Sequence, residues 1–208
     1  KRKKINAVVT SGPTREYMDP VRYLTNESSG KQGYEIALEL SRLGIRTTLI
    51  SGPTNINYNE GIKIKKVISG DDMLRTVKKN LPTDIAVCAA AISDFKPIIK
   101  KKNKIKKQNY NNEIKIKRNV DILNFLGKTN KNRPKLLVGF SAETEDLLKN
   151  SIKKMEDKFC DLMIANDISK KEFGFNSDFN EVTIIDKSGK IEKIKKNSKK
   201  FIASIIAR

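Results

Sequence analysis

Apolar and polar residues alternate along the chain in two different periods. Short runs rich in β-branched residues, such as 5–10 and 47–50, predict strands, and the amphipathic run 31–43, with Ile36 and Leu40 on one face, predicts a helix. Strand and helix patterns follow one another, as they do in βαβ units. The sequence therefore predicts an α/β fold with a Rossmann-like, mainly parallel sheet flanked by helices.

The same patterns divide the rest of the chain. Further strands are predicted at 62–68, 85–91, 113–117, 136–140 and 162–165. Further helices are predicted at 71–80, 144–158 and 198–208, and one more is predicted to end at 127. The run 85–91 is almost wholly apolar, as is typical of a central strand buried on both faces. Runs 181–186 and 190–194 flank Lys187-Ser188-Gly189 and predict a C-terminal β-hairpin. We expect one domain over residues 1–208.

An enlarged loop between the first strand and the first helix, residues 10–33, carries the strongest functional signal. It is rich in Gly, Ser and Thr, and a loop longer than about 12 residues inside a compact domain is usually functional or disordered. Backbone N–H groups at a helix N-terminus bind phosphate well. The tetrapeptide Ser11-Gly12-Pro13-Thr14 returns at residues 51–54, so we expect two neighbouring strand ends to face one crevice.

The formal net charge of +19 is large, but it is weak evidence for a nucleic-acid partner. The lysines are spread among Asn and Ile and are not clustered with aromatic residues. We therefore expect no nucleic-acid partner, although a basic nucleic-acid-binding protein stays an alternative. The segment 96–112 is the most basic, with its densest part at 100–107. It predicts either a mobile basic loop that brings ammonium groups to a triphosphate or a solvated charge run.

Histidine is absent, which excludes Ser–His and Cys–His nucleophile pairs and His-bearing zinc sites. Cys88 lies in an apolar run and Cys160 at the end of a helical pattern, so both are predicted to be buried and unreactive. Two unclustered cysteines indicate a reducing compartment, and we expect a cytoplasmic protein. No run of about 18 apolar residues occurs, so we expect no membrane partner.

Two familiar nucleotide-binding motifs are absent. Gly30-Lys31 has Thr25 where a P-loop has its first glycine, and G-x-G-x-x-G does not follow the first strand. An NAD(P)-dependent oxidoreductase is therefore the runner-up. The remaining crevice, with hydroxyls, backbone N–H groups, Arg22, Asn26, Asp94 and lysines, suits activation of a carboxylate by a nucleotide. Lysines and Mg²⁺ would stabilise the leaving phosphates, and Asn26 would donate to the acyl oxygen.

At these residues the chain resembles a known family. Residues 10–33 contain Ser-Gly-Pro-Thr-Arg-Glu, Asp-Pro-Val-Arg-Tyr and Asn-Glu-Ser-Ser-Gly-Lys in that order. They resemble the opening of the phosphopantothenoylcysteine synthetases, which are coenzyme A biosynthesis enzymes. The resemblance continues in the family's order at 90–94, 104–107, 139–144, 165–167 and 174–178, and so covers nearly the whole chain.

The resemblance implies an activity and its partners. Bacterial members ligate 4'-phosphopantothenate to L-cysteine with CTP, through a phosphopantothenoyl-cytidylate, and release pyrophosphate and then CMP. They are homodimers that usually follow a flavin-dependent phosphopantothenoylcysteine decarboxylase on the same polypeptide. A start at Lys1 fits an excised carboxyl-terminal half, in which case flavin belongs to the other half and not to this chain.

The same resemblance implies roles for particular residues. Asn26 would serve the second half-reaction and Lys104 the first. The nucleotide would contact Gly12, Ser28, Gly30, Gly33, Asp94, Lys104, Val120, Asp121, Ile122, Leu123, Phe140, Lys154, Lys158 and Asn166. Residues 120–123 match the segment that recognises cytosine. Phosphopantothenate would meet Arg22, Asn26, Ala90, Ala91 and Asp94, with Arg22 reaching its phosphate from the other subunit. Metal ligands are not implied.

Two positions depart from the family pattern. Val120 stands where the family usually has proline before the aspartate, so the fixed φ of proline is lost. Ser93 replaces a common alanine before Asp94. Neither change removes a charged or catalytic group, so we expect an effect on fine positioning only.

Overall fold

The computed structural model describes residues 4–58, 61–106, 108, 113–129, 131–169 and 177–208. Lys107 and 109–112 of the basic segment, and 174–176 of the last matching motif, lie outside the described residues. The strands are β1 (Asn6–Ser11), β2 (Arg15–Tyr17), β3 (Tyr23–Thr25), β4 (Arg46–Ser51), β5 (Lys63–Lys66), β6 (Ile85–Cys88), β7 (Phe95–Pro97), β8 (Ile116–Arg118), β9 (Leu136–Glu143), β10 (Leu162–Asp167), β11 (Phe179–Asp186) and β12 (Ile191–Ser198). The helices are α1 (Lys31–Arg42), α2 (Gly70–Lys78), α3 (Ile122–Lys128), α4 (Leu147–Asp157) and α5 (Lys199–Ile206).

An eight-stranded sheet in the described part of the chain has the order β12-β11-β10-β9-β6-β1-β4-β5. The pairs from β10 to β5 are parallel, and β11 and β12 add antiparallel strands at one edge. The predicted α/β fold and the C-terminal hairpin are therefore confirmed. The chain moves outward from β1 through β4 to β5 and then crosses to β6 on the other side of β1. Ligands of open α/β sheets bind at such a switch point, beyond the strand ends.

The core has two layers because β1 alternates its side chains between the two faces of the sheet. Val9 packs in the layer that contains Ile36 of α1 and Ile202 of α5. Val8 packs in the other layer, with Met73 of α2 and residues of α3 and α4. Each fully buried aliphatic side chain contributes about 1.5–3 kcal/mol. The two layers fix α1 against the sheet on one face and α3 and α4 on the other.

Helix ends follow the signals in the sequence. Ser69 Oγ accepts from Asp72 N, and the Asp72 carboxylate accepts from Ser69 N, so these two residues form a capping box at the start of α2. Burial raises the pKa of Asp72, but the bonds from Ser69 and the charge of Arg75 outweigh it, so the pKa is lowered. Gly44 follows the C-terminal end of α1 and adopts φ +81°, the left-handed conformation of a C-terminal cap.

Two small antiparallel pairs interrupt segments that were predicted to be loops. Strands β2 and β3 pair within the long loop, and β7 and β8 pair across the basic segment. The predicted strand at 113–117 is therefore displaced to Ile116–Arg118. The predicted strand at 85–91 ends at Cys88, and its continuation forms a single bridge between Ala91 and Pro13. Among the described helices, none is both long and apolar enough to cross a bilayer.

Candidate active site

The repeated tetrapeptides lie side by side where β1 and β4 end. Ser11 and Ser51 are partners in the parallel register, and Gly52 N donates to Ser11 O at 2.9 Å. A Cβ on Gly52 would lie 1.8 Å from Pro13 O, so a side chain cannot be accommodated there. The prediction that both strand ends face one crevice is confirmed.

The start of α1 packs closely against the end of β1. Ser11 Oγ donates to Gly30 O at 2.6 Å, and a Cβ on Gly33 would lie 2.8 Å from Ser11 Cβ. Gly30 takes φ +73° and supplies no side-chain cap to α1. The first-turn N–H groups of α1 and its positive dipole end therefore lie at the crevice, next to β1.

Two adjoining cavities open at this edge of the sheet. The first cavity, of about 320 Å³, lies over the start of α1, and the second cavity, of about 480 Å³, lies over the start of α3. Both are lined by Ala90, Ile92, Asp94, Phe140 and Lys154, which we call the shared wall. A ligand that spans the two cavities must therefore pass these side chains.

Most of the predicted site residues come together here. Besides members of the shared wall, the first cavity is lined by Asn26, Ser28, Gly30, Gly33, Ala91 and Asn166. The second cavity is lined by Val120, Asp121, Ile122, Leu123 and Lys158. Gly12 lies directly beneath Gly30, because a Cβ on Gly30 would approach Gly12 Cα to 3.1 Å. Residues from both ends of the sequence thus meet at one site.

Arg22 and Lys104 lie elsewhere within the described structure. Arg22 Nη2 donates to Ile105 O at 3.0 Å, and Ile105 N donates to Asp19 Oδ2 at 3.2 Å. Burial raises the pKa of Asp19, but N–H donors of Val21, Ile105 and Arg22 outweigh it and the pKa is lowered. The basic segment is therefore anchored to the turn before β3. Lys104 is exposed and lines neither cavity, so the role implied for it stays a prediction, as does that of Arg22.

Asn26 is held at the edge of the shared wall. Its Nδ2 donates to Ile92 O at 3.1 Å. An amide carries two such hydrogens, so this bond orients the group while its second hydrogen stays available to a ligand in the first cavity. The backbone next to it is small, since Ala90 and Ala91 line the same cavity.

Asn119 organises the start of α3, and the sequence analysis missed it. Its N–H donates to Asp94 O at 2.8 Å, and its Nδ2 donates to Ser93 O at 2.9 Å. Its Oδ1 accepts from Val120 N at 2.9 Å. Proline has no N–H to donate. The departure from the family pattern at Val120 therefore comes with a hydrogen bond that proline could not form.

Polar atoms without protein partners point to a ligand in the first cavity. Asn166 Oδ1 and Gln32 Oε1 are buried and have no hydrogen-bond partner among the described residues, and both residues line this cavity. Buried polar atoms are almost always hydrogen-bonded in proteins. Gln32 lies in the long loop but was given no role from sequence, and Asn180 and Lys199 belong to none of the motifs that the sequence analysis identified.

Both thiols are held in the protonated, weakly nucleophilic form. Burial raises the pKa of Cys88 to about 12 and that of Cys160 to about 11. Cys160 is buried in the core as predicted, whereas Cys88 is only half-buried because it lines the second cavity. The prediction that neither is a reactive nucleophile agrees with these directions.

The described residues contain no group of three or more acidic or thiol side chains that would hold a metal ion.

Comparison with known proteins identifies the relatives of this chain. The family described as the DNA/pantothenate metabolism flavoprotein C-terminal domain matches residues 2–208. The coenzyme A biosynthesis bifunctional protein CoaBC of Bacillus subtilis is 42% identical over 186 residues, which are 88% of this chain and 45% of that protein. The CoaBC protein of Escherichia coli is 36% identical over 191 residues, or 90% of this chain and 47% of that protein.

A solved structure extends the agreement to three dimensions. The crystal structure of the C-terminal domain of a CoaBC protein is 35% identical, with a TM-score of 0.80, and the match covers 97% of this chain and 91% of that one. The chain spans about half the length of the curated relatives it matches. The family resemblance inferred from the motifs is confirmed: this chain belongs to the DNA/pantothenate metabolism flavoprotein C-terminal domain family.

Proposed function

We propose that this chain ligates 4'-phosphopantothenate to L-cysteine, using CTP and passing through a phosphopantothenoyl-cytidylate. The observation that carries the proposal is the first cavity. It combines the start of α1, three lysines (Lys31, Lys154 and Lys199) and buried amide oxygens on Gln32 and Asn166 that have no hydrogen-bond partner in the described part of the chain. Family membership and the CoaBC relatives support the same pathway.

The two cavities divide the nucleotide in this proposal. The second cavity, with the half-buried carboxylate of Asp121 and the apolar side chains of Ile122 and Leu123, receives the base. The triphosphate then passes the shared wall into the first cavity, where the N–H groups of α1 and the lysines receive its charge. Gly33 allows the start of α1 to pack against Ser11, which places these N–H groups at the first cavity.

In the first half-reaction the phosphopantothenate carboxylate attacks the α-phosphorus of CTP. A carboxylate O–P bond forms, the bond to the β-phosphate breaks, and pyrophosphate leaves with the bonding electrons. The attacking oxygen is already anionic, so this step needs no general base, which fits a chain without histidine. Lys154 in the shared wall stabilises the charge on the transferring phosphate, and Lys104 reaches the leaving pyrophosphate from the basic segment.

In the second half-reaction the cysteine amine attacks the acyl carbon. The C–N bond forms, the acyl C–O bond to CMP breaks, and the amine loses a proton as CMP leaves. Asn26, oriented by its bond to Ile92 O, donates its second amide hydrogen to the carbonyl oxygen as negative charge develops there. Removing a single donor of this kind costs about 10²–10³ in rate.

Mg²⁺ fits this site as an ion that arrives with the nucleotide. Mg²⁺ is commonly held by one or two carboxylates together with substrate phosphates and waters, and Asp94 supplies one carboxylate in the shared wall. Bound there, the ion would neutralise charge on the phosphate oxygens. The protein's own contribution is to hold the phosphates beside Asp94 and Lys154.

We further propose a homodimer in which Arg22 serves the neighbouring subunit. Exposed apolar side chains cluster on and around β7 and β8, namely Phe95, Ile98, Ile99, Ile114 and Ile116, each 44% exposed or more. Such a patch is typical of a protein interface.

The greater length of the relatives also supports an upstream flavin-dependent decarboxylase domain on a longer polypeptide. The free thiols of Cys88 and Cys160 fit a cytoplasmic location.

One assay tests the function directly. Protein, Mg²⁺, 4'-phosphopantothenate and cysteine are mixed with each nucleoside triphosphate in turn, and the amide product and pyrophosphate are measured. CTP is expected to give the fastest product formation, with CMP and pyrophosphate released in equal amounts. Product with ATP alone would overturn the CTP assignment. NADPH oxidation or tight, salt-sensitive DNA binding without amide formation would overturn the ligase.

A further inference from the structure

Lys199 is a buried lysine in the first cavity that neither the motifs nor the family resemblance identified. It is the first residue of α5 and is only 7% exposed. Its backbone is tied to the site from two sides: Gln32 Nε2 donates to Lys199 O at 3.1 Å, and Lys199 N donates to Asp178 O at 2.9 Å. The start of α5 is thereby fixed against the start of α1.

The stability of the helix does not explain a lysine at this position. A positive charge in the first turn opposes the helix dipole, and lysine is seldom so deeply buried. Burial lowers the pKa of Lys199, and the charge of Lys31 lowers it further, while Asp178 acts in the opposite direction. A cost of this kind at a ligand cavity is typical of a functional residue.

The surrounding charges favour an anionic ligand. Lys31, Lys154 and Lys199 line the first cavity, and Lys31 forms an ion pair with Asp178 at its edge. Asp94 and Lys154 line both cavities, whereas Lys199 lines the first cavity and not the second. A ligand that spans the two cavities therefore meets Lys199 only with the part that lies in the first cavity.

We propose that Lys199 binds the β- or γ-phosphate of the nucleotide, and so the pyrophosphate that leaves. This inference rests on the proposed function, because it requires the base in the second cavity and the phosphates in the first. A polyphosphate placed beside Lys199 offsets both its burial and its repulsion from Lys31, so the ammonium gains more from this ligand than an exposed lysine would. The α-phosphate, which stays with CMP, lies nearer the shared wall and does not depend on Lys199.

The test compares Lys199→Met with Lys200→Met by titration calorimetry of the folded proteins with CTP and with CMP. Lys200 is the next residue of α5 and is exposed, so it controls for the loss of one positive charge. We expect Lys199→Met to weaken CTP binding at least about tenfold and CMP binding less than about twofold. Lys200→Met should leave both affinities within about twofold of wild type.

Each other result decides against the proposal. Unchanged CTP affinity in Lys199→Met would overturn the phosphate contact while leaving the ligase intact, which wild-type turnover shows independently. Equal weakening of CTP and CMP would mean that Lys199 acts only through the packing of α5. If Lys199→Met fails to fold, Lys199→Arg and Lys199→Gln replace it. Arginine should then retain CTP binding better than glutamine, and equal affinities would overturn the proposal. Wild-type protein that binds neither nucleotide would overturn the proposed function together with this inference.

Discussion

Lys158 Nζ lies 2.7 Å from Asp121 Oδ2, so an ion pair joins the end of α4 to the start of α3. Asp121 also caps α3, since its Oδ1 accepts from Asn124 N at 2.8 Å. The resemblance assigned both residues to the nucleotide, and the structure shows them as partners of each other. A nucleotide that binds as proposed would therefore have to retain this ion pair or replace it.

We expect Asp121→Asn to separate these two roles. Asparagine keeps an oxygen for the cap and loses the ion pair, which is partly exposed on both sides and contributes below about 1 kcal/mol. Asp121→Ala also loses the cap and should cost about 1 kcal/mol more in the free energy of unfolding. Urea denaturation of the two variants measures the difference. Equal stabilities would show that the cap bond contributes nothing.

Asn26→Ala is expected to block the second half-reaction and spare the first. The variant should still release pyrophosphate from CTP when phosphopantothenate is present, while amide formation falls about 10²–10³-fold, because the carbonyl oxygen loses its donor. Quench-flow measurement of pyrophosphate and amide in the same reaction checks this. An equal loss of both products would remove Asn26 from the second step.

Lys104→Ala is expected to slow formation of the cytidylate, with Lys102→Ala as its matched control. Both lysines are exposed in the basic segment that Asp19 and Arg22 anchor through Ile105. If Lys104 reaches the leaving pyrophosphate, its removal should lower the rate of the first step at least about tenfold. Lys102→Ala should leave the rate nearly unchanged. Similar rates in the two variants would identify the segment as a solvated charge run.

The thiols give a prediction on pH. The pKa of Cys88 is raised from 9.0 to about 12, so at pH 9 only about 0.1% of it is thiolate in the folded protein, against about half in the unfolded chain. Iodoacetamide should therefore label Cys88 slowly at pH 9 until the protein is unfolded in guanidinium. By the same linkage, ionisation of the unfolded thiols lowers the stability of the fold as pH rises above 9. Rapid labelling of the folded protein would contradict the shift.

The large sheet was predictable from sequence because its strands are short apolar or alternating runs and its helices have a clear apolar period. The strands β2, β3 and β7 were missed. Each has three residues, and Arg15-Glu16-Tyr17 carries neither alternation nor an apolar run. Such pairs are stabilised by their tertiary setting: Glu16 is buried because its carboxylate accepts from Gly70 N.

The candidate site divides in the same way. The glycines and hydroxyl residues of the long loop were identified from their residue types and spacing, because small residues are needed where another group comes close to the loop backbone. Lys199 and Asn119 were missed because nothing local distinguishes a buried lysine or a bridging asparagine from a surface one. Their positions depend on pairings between residues that lie far apart in the sequence, such as Gln32 with Lys199.

If the proposed function holds, the shared wall links the binding of the two substrates thermodynamically. When CTP fixes the positions of Asp94, Phe140 and Lys154, the conformational cost of ordering them has already been met before phosphopantothenate arrives. Whatever factor CTP adds to the affinity for phosphopantothenate must then be added, in equal measure, by phosphopantothenate to the affinity for CTP.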